Sequence, residues 1–315
     1  MRGETMYQTE KQMKEYSYND DSGDAQAVVY QLFPGVEVAY ISVHMADFDF
    51  GLFEQGAGKN YVTIHYCAEG RIEQQVKDEF FYLMPGDSSF AIQDKPRKMF
   101  QLPLKHYHGI SIGIDLDCMQ NPLMTYAESC ECSVSDVLQH ICSGQSHIVL
   151  RSSAAARRFF QDLYETDLDK RLDYLRVKLP ELFYRMKYAE TDSSDYDRNL
   201  VPRIQVELVK AVSDYIAKNL NEKITVKQLT LQFGVSDTYL QNAFRSVYGM
   251  PVISFIRTQK MQSAAQVLIH TTRTIDEIAE EYGYANESKF STAFKKIMGD
   301  TPGVYRKDHS KVKIV

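Results

Sequence analysis

The sequence contains no long apolar run. Nowhere in its 315 residues do apolar residues continue for the roughly 18 positions that a membrane-spanning helix needs. The opening residues, MRGETMYQTEKQMKEYSYNDD, are polar and mixed in charge, and they lack the apolar core of a secretory signal peptide. These absences predict a cytoplasmic protein without a membrane partner.

Cysteine is scarce, and its count of five is odd, which argues against a disulfide framework. The stretch CECSVSDVLQHICSGQSH groups thiols and imidazoles: Cys130, Cys132, His140, Cys142 and His147. Its C-x-C and H-x-C spacings differ from the C-x2–4-C spacing typical of zinc sites. A redox role for Cys130 and Cys132 would require a strained disulfide across one residue. We therefore expect buried or inert cysteines.

Catalytic signatures are also missing. The sequence has no G-x-S-x-G elbow, no phosphate-binding glycine loop and no metalloprotease helix, which are the local patterns that position a nucleophile, a nucleotide or a zinc ion. Acidic residues are abundant but show no pairing pattern. We expect a protein that is not an enzyme and requires no cofactor.

The charge is distributed unevenly along the chain. Residues 201–315 contain 16 Lys and Arg against 11 Asp and Glu, a net charge of +5, whereas residues 1–200 have a net charge of −11. An acidic module joined to a basic one indicates that only the second module meets a polyanion such as nucleic acid.

The residue pattern changes twice along the chain. Residues 27–120 are rich in β-branched and aromatic residues broken by glycine turns, which predicts short strands in a small sandwich or barrel. Residues 121–190 and 202–310 show helical periodicity. Residues 1–26 are charged with few apolar anchors and are expected to be mobile, and polar residues 191–201 form the expected linker. The fold class is α+β.

A repeat organises the carboxy-terminal module. Thr225-x-x-Gln228 and Gly234 recur 49 residues later as Thr274-x-x-Glu277 and Gly283. Each copy predicts a helix opened by a capping box and stopped by glycine, followed by a second helix. Leu240 and Phe244 of that second helix recur 50 residues later as Phe290 and Phe294. Two helix-turn-helix units are therefore predicted.

The second helix of such a unit can enter a major groove and read base edges with the face opposite its buried stripe. In the first copy the outward residues are Thr238, Gln241, Asn242 and Arg245. In the second copy they are Glu287, Ser288, Ser291, Thr292 and Lys295. Amide and hydroxyl groups suit base edges, whereas Arg245, Lys295 and Lys296 suit phosphates. Solvated faces of a helical bundle remain the alternative interpretation.

Residues 202–308 resemble the DNA-binding domain of AraC/XylS-type transcriptional regulators. FIRTQKMQSAAQVL at 255–268 is similar to the family's linker helix, with Lys260 where arginine is usual. TIDEIAEEYGYANESKFSTAFKKIMGDTPGVYRK at 274–307 is similar to its signature, including Gly299, Thr301, Pro302, Tyr305 and Arg306. The resemblance implies two units on one rigid linker helix, entering successive major grooves of promoter DNA about 34 Å apart.

The resemblance implies base contacts at Thr238, Gln241 and Asn242, and at Glu287, Ser288, Ser291 and Thr292. Arginine is common in the family where Asn242 and Thr292 stand. Because asparagine prefers adenine and threonine can meet a thymine methyl, a site rich in A·T pairs is expected. Glu287 would accept from a cytosine amine or point away from the DNA.

Residues 27–120, with MPGD at 84–87, resemble the cupin-like barrel that often precedes this DNA-binding domain. The resemblance implies a sensor for a small effector and helices at 153–189 that form a homodimer. Candidate ligand-binding residues are Tyr40, His44, His65, Tyr66, Arg71, Tyr82, His106 and His108. RNA polymerase is an implied partner if the protein activates transcription.

Two alternatives stay open for the amino-terminal module. His106 and His108 form an H-x-H pair on one strand face, as in a metal-dependent cupin enzyme. The additional histidine and glutamate of such a site are not evident in the sequence, so we expect no metal. The second alternative is a regulator controlled by a protein partner, with a barrel that its own side chains fill.

Overall fold

A computed structural model describes residues 5–10, 12–20, 23–49, 61–76, 78–93, 99–118, 137, 147–152, 154–188 and 200–309. The chain forms two compact units, residues 1–200 and 201–315. Among the helices in the described ranges, none combines the length and apolar character needed to cross a membrane.

The described residues of the first unit form two antiparallel sheets and two helices. Its strands are β1 (Thr5–Glu10), β2 (Met13–Asp20), β3 (Gly23–Phe33), β4 (Val36–His44), β5 (Asp47–Asp49), β6 (Tyr61–Gly70), β7 (Ile72–Val76), β8 (Glu79–Leu83), β9 (Ser88–Gln93), β10 (Met99–Gln101), β11 (Tyr107–Asp115) and β12 (His147–Leu150). The large sheet has the order β1-β2-β3-β4-β11-β6-β9-β12, and the second sheet contains β8-β7-β10-β5. Helices α1 (Ala154–Glu165) and α2 (Arg171–Lys187) follow.

The large sheet is the middle layer of this unit because both of its faces are apolar. Ile41 and Val43 belong to one buried cluster with Phe81 and Phe100 of the second sheet. The opposite face belongs to another cluster, which joins strand residues Val38, Ile64 and Ile112 to helix residues Phe159, Leu179 and Phe183. Since side chains alternate along a strand, neighbouring residues of one strand belong to different layers.

The expected cupin-like barrel is not closed. The described strands form two sheets that face each other across an apolar layer, and no hydrogen-bonded ladder between described strands joins those sheets into one barrel. The alternating pattern indicates that a strand face is buried, but it does not distinguish a sheet that curls on itself from one that packs on a second sheet. The prediction of strands in this region is confirmed, whereas the prediction that they close into a barrel is wrong.

The segment that the sequence predicts to be mobile, residues 1–26, contributes residues to three strands. Strands β1, β2 and β3 pair antiparallel from Thr5 onward. Tyr16 and Tyr18 pack against the apolar layer between the sheets, so two aromatic residues at alternate positions anchor β2 despite the many charges around them. Most of residues 121–146, at the start of the expected helical region, and most of the expected linker at 191–201 lie outside the described residues.

The second unit is helical after a two-residue strand. It contains β13 (Val201–Pro202), α3 (Arg203–Lys218), α4 (Val226–Phe233), α5 (Asp237–Tyr248), α6 (Val252–His270), α7 (Ile275–Glu281), α8 (Glu287–Met298) and α9 (Pro302–His309). Helices α4 and α5 form the first helix-turn-helix unit, and α7 and α8 form the second. Helix α6 connects them, as the resemblance to the family implied.

Helix α6 buries opposite faces at its two ends. In its first half Val252, Phe255 and Ile256 are buried, and the Phe255 ring lies 5.4 Å from Phe244 of α5. In its second half Met261 and Leu268 join the cluster around α7 and α8. At 3.6 residues per turn, the first group and the second group point to opposite sides of the helix. Helix α6 thus provides a separate packing surface for each helix-turn-helix unit.

Lys260 lies between these two surfaces of α6 and forms hydrogen bonds to both helix-turn-helix units. Its Nζ donates to the carbonyl oxygen of Glu222, before α4, and to that of Tyr282, after α7, each at 3.1 Å. Partial burial lowers the pKa of this ammonium group. A second link is the 2.7 Å hydrogen bond between Ser263 and the Tyr282 hydroxyl. The family usually has arginine at this position. Here Lys260 links each helix-turn-helix unit to the linker helix.

We predict that Lys260→Met lowers the free energy of unfolding by about 1–3 kcal/mol, because two carbonyl oxygens lose a charged donor. Lys260→Arg should retain most of the stability, since a guanidinium also donates in several directions. Urea unfolding of the full chain, followed by the helical circular dichroism signal, measures both changes. The exposed Lys223→Met is the control for loss of charge. A Lys260→Met protein as stable as this control would contradict the bridging role.

Candidate nucleic-acid interface

The first recognition helix, α5, is positioned by local hydrogen bonds in the turn before it. Thr225 and Gln228 form the predicted capping box at the start of α4, with the Thr225 amide donating to Gln228 Oε1 at 2.8 Å. Gly234 ends α4 with a φ of 67°, a left-handed conformation that residues with a side chain adopt at a cost. Ser236 then caps α5 by accepting from the Tyr239 amide at 3.2 Å.

The second recognition helix, α8, is built in the same way. Thr274 and Glu277 form the second predicted capping box, with the Thr274 amide donating to Glu277 Oε2 at 2.8 Å. These hydrogen bonds from Thr274 lower the pKa of the Glu277 carboxyl. Gly283 turns the chain with a φ of 79°, and Asn286 caps α8 by accepting from the Lys289 amide at 2.9 Å. Both predicted capping boxes are confirmed.

The two recognition helices have the same pattern of burial. Leu240 and Phe244 of α5 are fully buried, as are their counterparts Phe290 and Phe294 of α8. Most of the predicted DNA-binding residues are exposed, namely Thr238, Asn242, Arg245, Glu287, Ser288, Thr292, Lys295 and Lys296. Gln241 and Ser291, which occupy matching positions, are both half-buried. Each helix therefore presents one outward face built from equivalent positions.

Gln241 is held within the protein more firmly than the sequence indicates. Its Nε2 donates to Asp237 Oδ1 at 3.1 Å, and its Oε1 accepts from the Val252 amide, the first residue of α6, at 3.3 Å. Its side chain therefore joins α5 to the start of α6. A base contact by Gln241 would have to share or replace these hydrogen bonds.

Other outward side chains are oriented by neighbours on their own helix. Thr292 Oγ1 donates to the Ser288 carbonyl oxygen at 2.9 Å. The methyl group of Thr292 is then the part of the side chain free to contact a base. Arg245 Nη1 donates to Asn242 Oδ1 at 3.4 Å. Because this hydrogen bond is long and exposed, both groups can exchange it for partners on a nucleic acid.

Two further candidate residues, Tyr239 and Lys289, were not identified from the sequence. They occupy matching positions 50 residues apart, each the third residue of its recognition helix, and both are exposed. The repeat offset is the signal that relates them, although a tyrosine and a lysine share neither hydroxyl nor amide chemistry. A phenol hydroxyl and an ammonium group both suit contacts with phosphate oxygens.

Several signature residues have structural roles in the second unit. Gly299 ends α8 with a φ of 90°. Tyr305 packs its ring 5.4 Å from Phe294. Arg306 Nε donates to the Leu268 carbonyl oxygen at 3.1 Å, which caps the carboxyl end of α6. These residues fix α9 and α8 on the linker helix.

The eight candidate ligand-binding residues of the first unit do not line one common surface. His65 lies on the buried face between the sheets, where its ring is 5.6 Å from Phe100, and burial lowers its pKa to about 4. Tyr40 and Tyr66 face the helices instead. The Tyr40 hydroxyl donates to the Leu163 carbonyl oxygen at 3.0 Å, and the Tyr66 ring stacks on Phe160 at 4.0 Å.

The remaining candidates occupy two other places. The Tyr82 hydroxyl donates to Glu73 Oε2 at 2.7 Å, and the Arg71 guanidinium lies 5.9 Å from the Tyr82 ring. His44, His106 and His108 come together at one end of the large sheet. The cysteines at 130, 132 and 142 and His140 lie outside the described residues.

Comparison with known proteins gives a family match within the second unit. Residues 229–308 match the family described as "Helix-turn-helix domain". The F1 operon positive regulatory protein of Yersinia pestis is 39% identical over 99 residues, which is 31% of this chain and 33% of that protein. The chain thus spans about a third of the length of this relative.

A shorter relative is matched over most of its length. The transposon Tn10 TetD protein of Escherichia coli is 32% identical over 101 residues, which is 32% of this chain and 73% of that protein. Among solved structures, the C-terminal domain of AraT, a response regulator from Geobacillus stearothermophilus, is 32% identical, with a TM-score of 0.33. That match covers 34% of this chain and 90% of the AraT domain.

The resemblance in the linker helix and signature, the paired helix-turn-helix units on α6, the family match and the sequence relatives agree. The chain belongs to the AraC/XylS family of helix-turn-helix transcriptional regulators.

Proposed function

We propose that this protein regulates transcription by inserting α5 and α8 into successive major grooves of promoter DNA. The observation that supports this most directly is the matched outward face of the two helices, which are both packed on one linker helix. Two equivalent reading surfaces held by one rigid element suit a duplex whose grooves recur about every 34 Å. The net charge of +5 on residues 201–315 favours association with the phosphate backbone.

The proposed contacts divide into base readout and phosphate binding. Asn242 would read adenine, and the Thr292 methyl would meet a thymine methyl, so an operator rich in A·T pairs is proposed at these positions. Thr238, Ser288 and Ser291 supply hydroxyl groups to base edges. Arg245, Lys295 and Lys296 bind phosphates, together with Tyr239 and Lys289. Glu287, at the amino end of α8, would accept from a cytosine amine.

We further propose that the first unit binds a small, partly polar organic effector between its two sheets. His65, Ser89 and Ser111 are buried cross-strand neighbours on this face, and both serine side chains are small and polar. Among the residues that the structure describes, the Ser89 hydroxyl is buried without a hydrogen-bond partner. Such a group favours a ligand that supplies the missing partner. Contact with RNA polymerase would follow if the protein activates transcription in the cytoplasm.

Helix α2 is proposed to pair two copies of the chain. Val177, Tyr184 and Tyr188 are 72%, 59% and 64% exposed, and their spacings of seven and four residues place them on one helical face. Arg185 and Glu181 form an ion pair beside them, so this surface of α2 contains both a positive and a negative charge. A surface with both signs can complement itself across a two-fold axis.

We predict that Asn242→Ala and Arg245→Ala weaken DNA binding in different ways. A duplex selected from a random library by the purified protein serves as the probe. Arg245→Ala should weaken binding to all sequences and reduce the slope of log K against log salt by about 1, because one phosphate contact is lost. Asn242→Ala should relax discrimination at one base pair by about 1–3 kcal/mol.

The matched control is Lys218→Ala, which removes one positive charge from an exposed position at the end of α3. Fluorescence anisotropy titrations at several stated salt concentrations measure all three variants. An Asn242→Ala protein that weakens every sequence equally would contradict base readout. If Lys218→Ala reduced the salt slope as much as Arg245→Ala, the assigned phosphate contact would be wrong.

We predict that Val177→Glu and Tyr184→Glu shift the protein from dimer to monomer, because a carboxylate would be buried without a partner in the paired interface. Sedimentation velocity over a range of protein concentrations measures the shift. Leu231→Glu, a change at an apolar residue that is 75% exposed in the other unit, should leave the dimer intact. A wild-type protein that stays monomeric at the highest concentration would contradict the pairing.

A further inference from the structure

Three histidines converge at one end of the large sheet. His44 is the last residue of β4, His108 is the second residue of β11, and His106 precedes β11 by one residue. Strands β4 and β11 pair directly, with Tyr107 opposite Val43 and His108 opposite Ser42. One nitrogen from each of the three imidazoles lies within 4.8 Å of the other two. Sheet register therefore brings together groups that are as far as 64 residues apart in sequence.

The distance between two of these nitrogens suits a shared metal ion. His44 Nε2 and His108 Nε2 are 3.2 Å apart. Two imidazole nitrogens, each about 2.0–2.1 Å from a tetrahedral ion, lie roughly 3.3–3.4 Å from each other. The observed separation is close to this value without any movement of the backbone.

Carboxylates surround the histidines as they do in metal sites. Asp24 Oδ2 is 3.2 Å from His44 Nδ1, which favours a proton on Nδ1 and leaves the lone pair of Nε2 facing His108. Glu69, directly opposite His108 in the β6–β11 ladder, places Oε2 3.2 Å from His106 Nε2 and 3.6 Å from His108 Nδ1. Carboxylates that accept from the second ring nitrogen orient ligating histidines and increase their basicity.

The competing explanation is a cluster held by hydrogen bonds alone. With the proton of His44 on Nδ1, His108 would have to donate from Nε2 to satisfy the 3.2 Å contact. A neutral His108 would then direct the lone pair of Nδ1 toward the Glu69 carboxylate, which is an unfavourable pairing. A cation between the imidazoles removes this conflict, because it accepts a lone pair from each ring.

We propose that His44, His106 and His108 bind one first-row transition-metal ion of the Zn²⁺ class, with Glu69 or water completing the coordination. Three imidazoles suit zinc, copper, nickel or iron rather than calcium or magnesium. The site and His65 lie on opposite faces of the large sheet. Val43 and Tyr107 point into the layer between the sheets, so their neighbours His44 and His108 lie on the other face. The three side chains are 43%, 33% and 34% exposed, which gives an ion access from solvent.

The test is zinc binding to the full-length, chelator-treated protein, measured by competition with a chromogenic chelator and by the visible absorption of bound Co²⁺. We expect one ion per chain. His44→Ala and His108→Ala should each weaken binding by more than about 100-fold, since they remove a ligand. Asp24→Asn should weaken it by about 10–100-fold, as is typical for a residue that orients a ligand. His270→Ala, an exposed histidine of the other unit, should leave binding unchanged.

Absence of saturable zinc and cobalt binding by the wild-type protein would overturn the proposal and leave the hydrogen-bonded cluster as the explanation. Unchanged stoichiometry and affinity in both His44→Ala and His108→Ala would also overturn it, because the ion would then lie elsewhere. His106→Gln, a change at a partly exposed loop residue, provides a further variant if another misfolds. Circular dichroism and DNA titrations of each variant separate loss of metal from loss of fold. Failure of the wild-type protein to bind any duplex would contradict the proposed function without affecting this site.

Discussion

The DNA-binding unit depends on one constraint: helix α6 must pack against both helix-turn-helix units at once. A helix that buries a single stripe can hold one neighbouring unit. Here the buried side moves from the Val252–Ile256 side to the Met261–Leu268 side within about two turns, and Lys260 lies where the change occurs. Its two hydrogen bonds, to Glu222 and Tyr282, link both helix-turn-helix units to helix α6. The spacing of the recognition helices is therefore a property of α6 rather than of flexible connections.

Polar residues on this scaffold either build it or are proposed to read DNA, and Gln241 belongs to both groups. Its amide group joins Asp237 to the start of α6, so the residue that would read a base also fixes the angle of α5. A base contact that pulled Gln241 outward would remove its hydrogen bond to the first residue of α6. Asn242 and Thr292 bond mainly within their own helices, and they can change partners without loosening the linker.

The sequence predicted the second unit well because its signals are local. A capping box, a glycine with positive φ and a buried pair such as Leu240 and Phe244 are each specified within about twenty residues. The first unit was predicted less completely because its decisive relationships are long-range. Alternation shows that Tyr40 and Ile41 point to opposite faces, but only strand pairing shows that Tyr40 meets the helices. In the same way, neither His44 nor Glu69 is visible as a neighbour of His108 until the β4-β11-β6 ladder is known.

That ladder also relates the two ligand sites proposed in the first unit. Strands β4, β11 and β6 are adjacent, and they contain His44, His108 and Glu69 at one end. Ser111 and His65 lie directly opposite each other farther along β11 and β6, on the face between the sheets. An ion bound at the ends of these strands would restrict their twist, and the arrangement of side chains around His65 depends on that twist. The two sites would then be energetically coupled through backbone hydrogen bonds shared by three strands, and by linkage each ligand would alter the affinity of the other to the same extent.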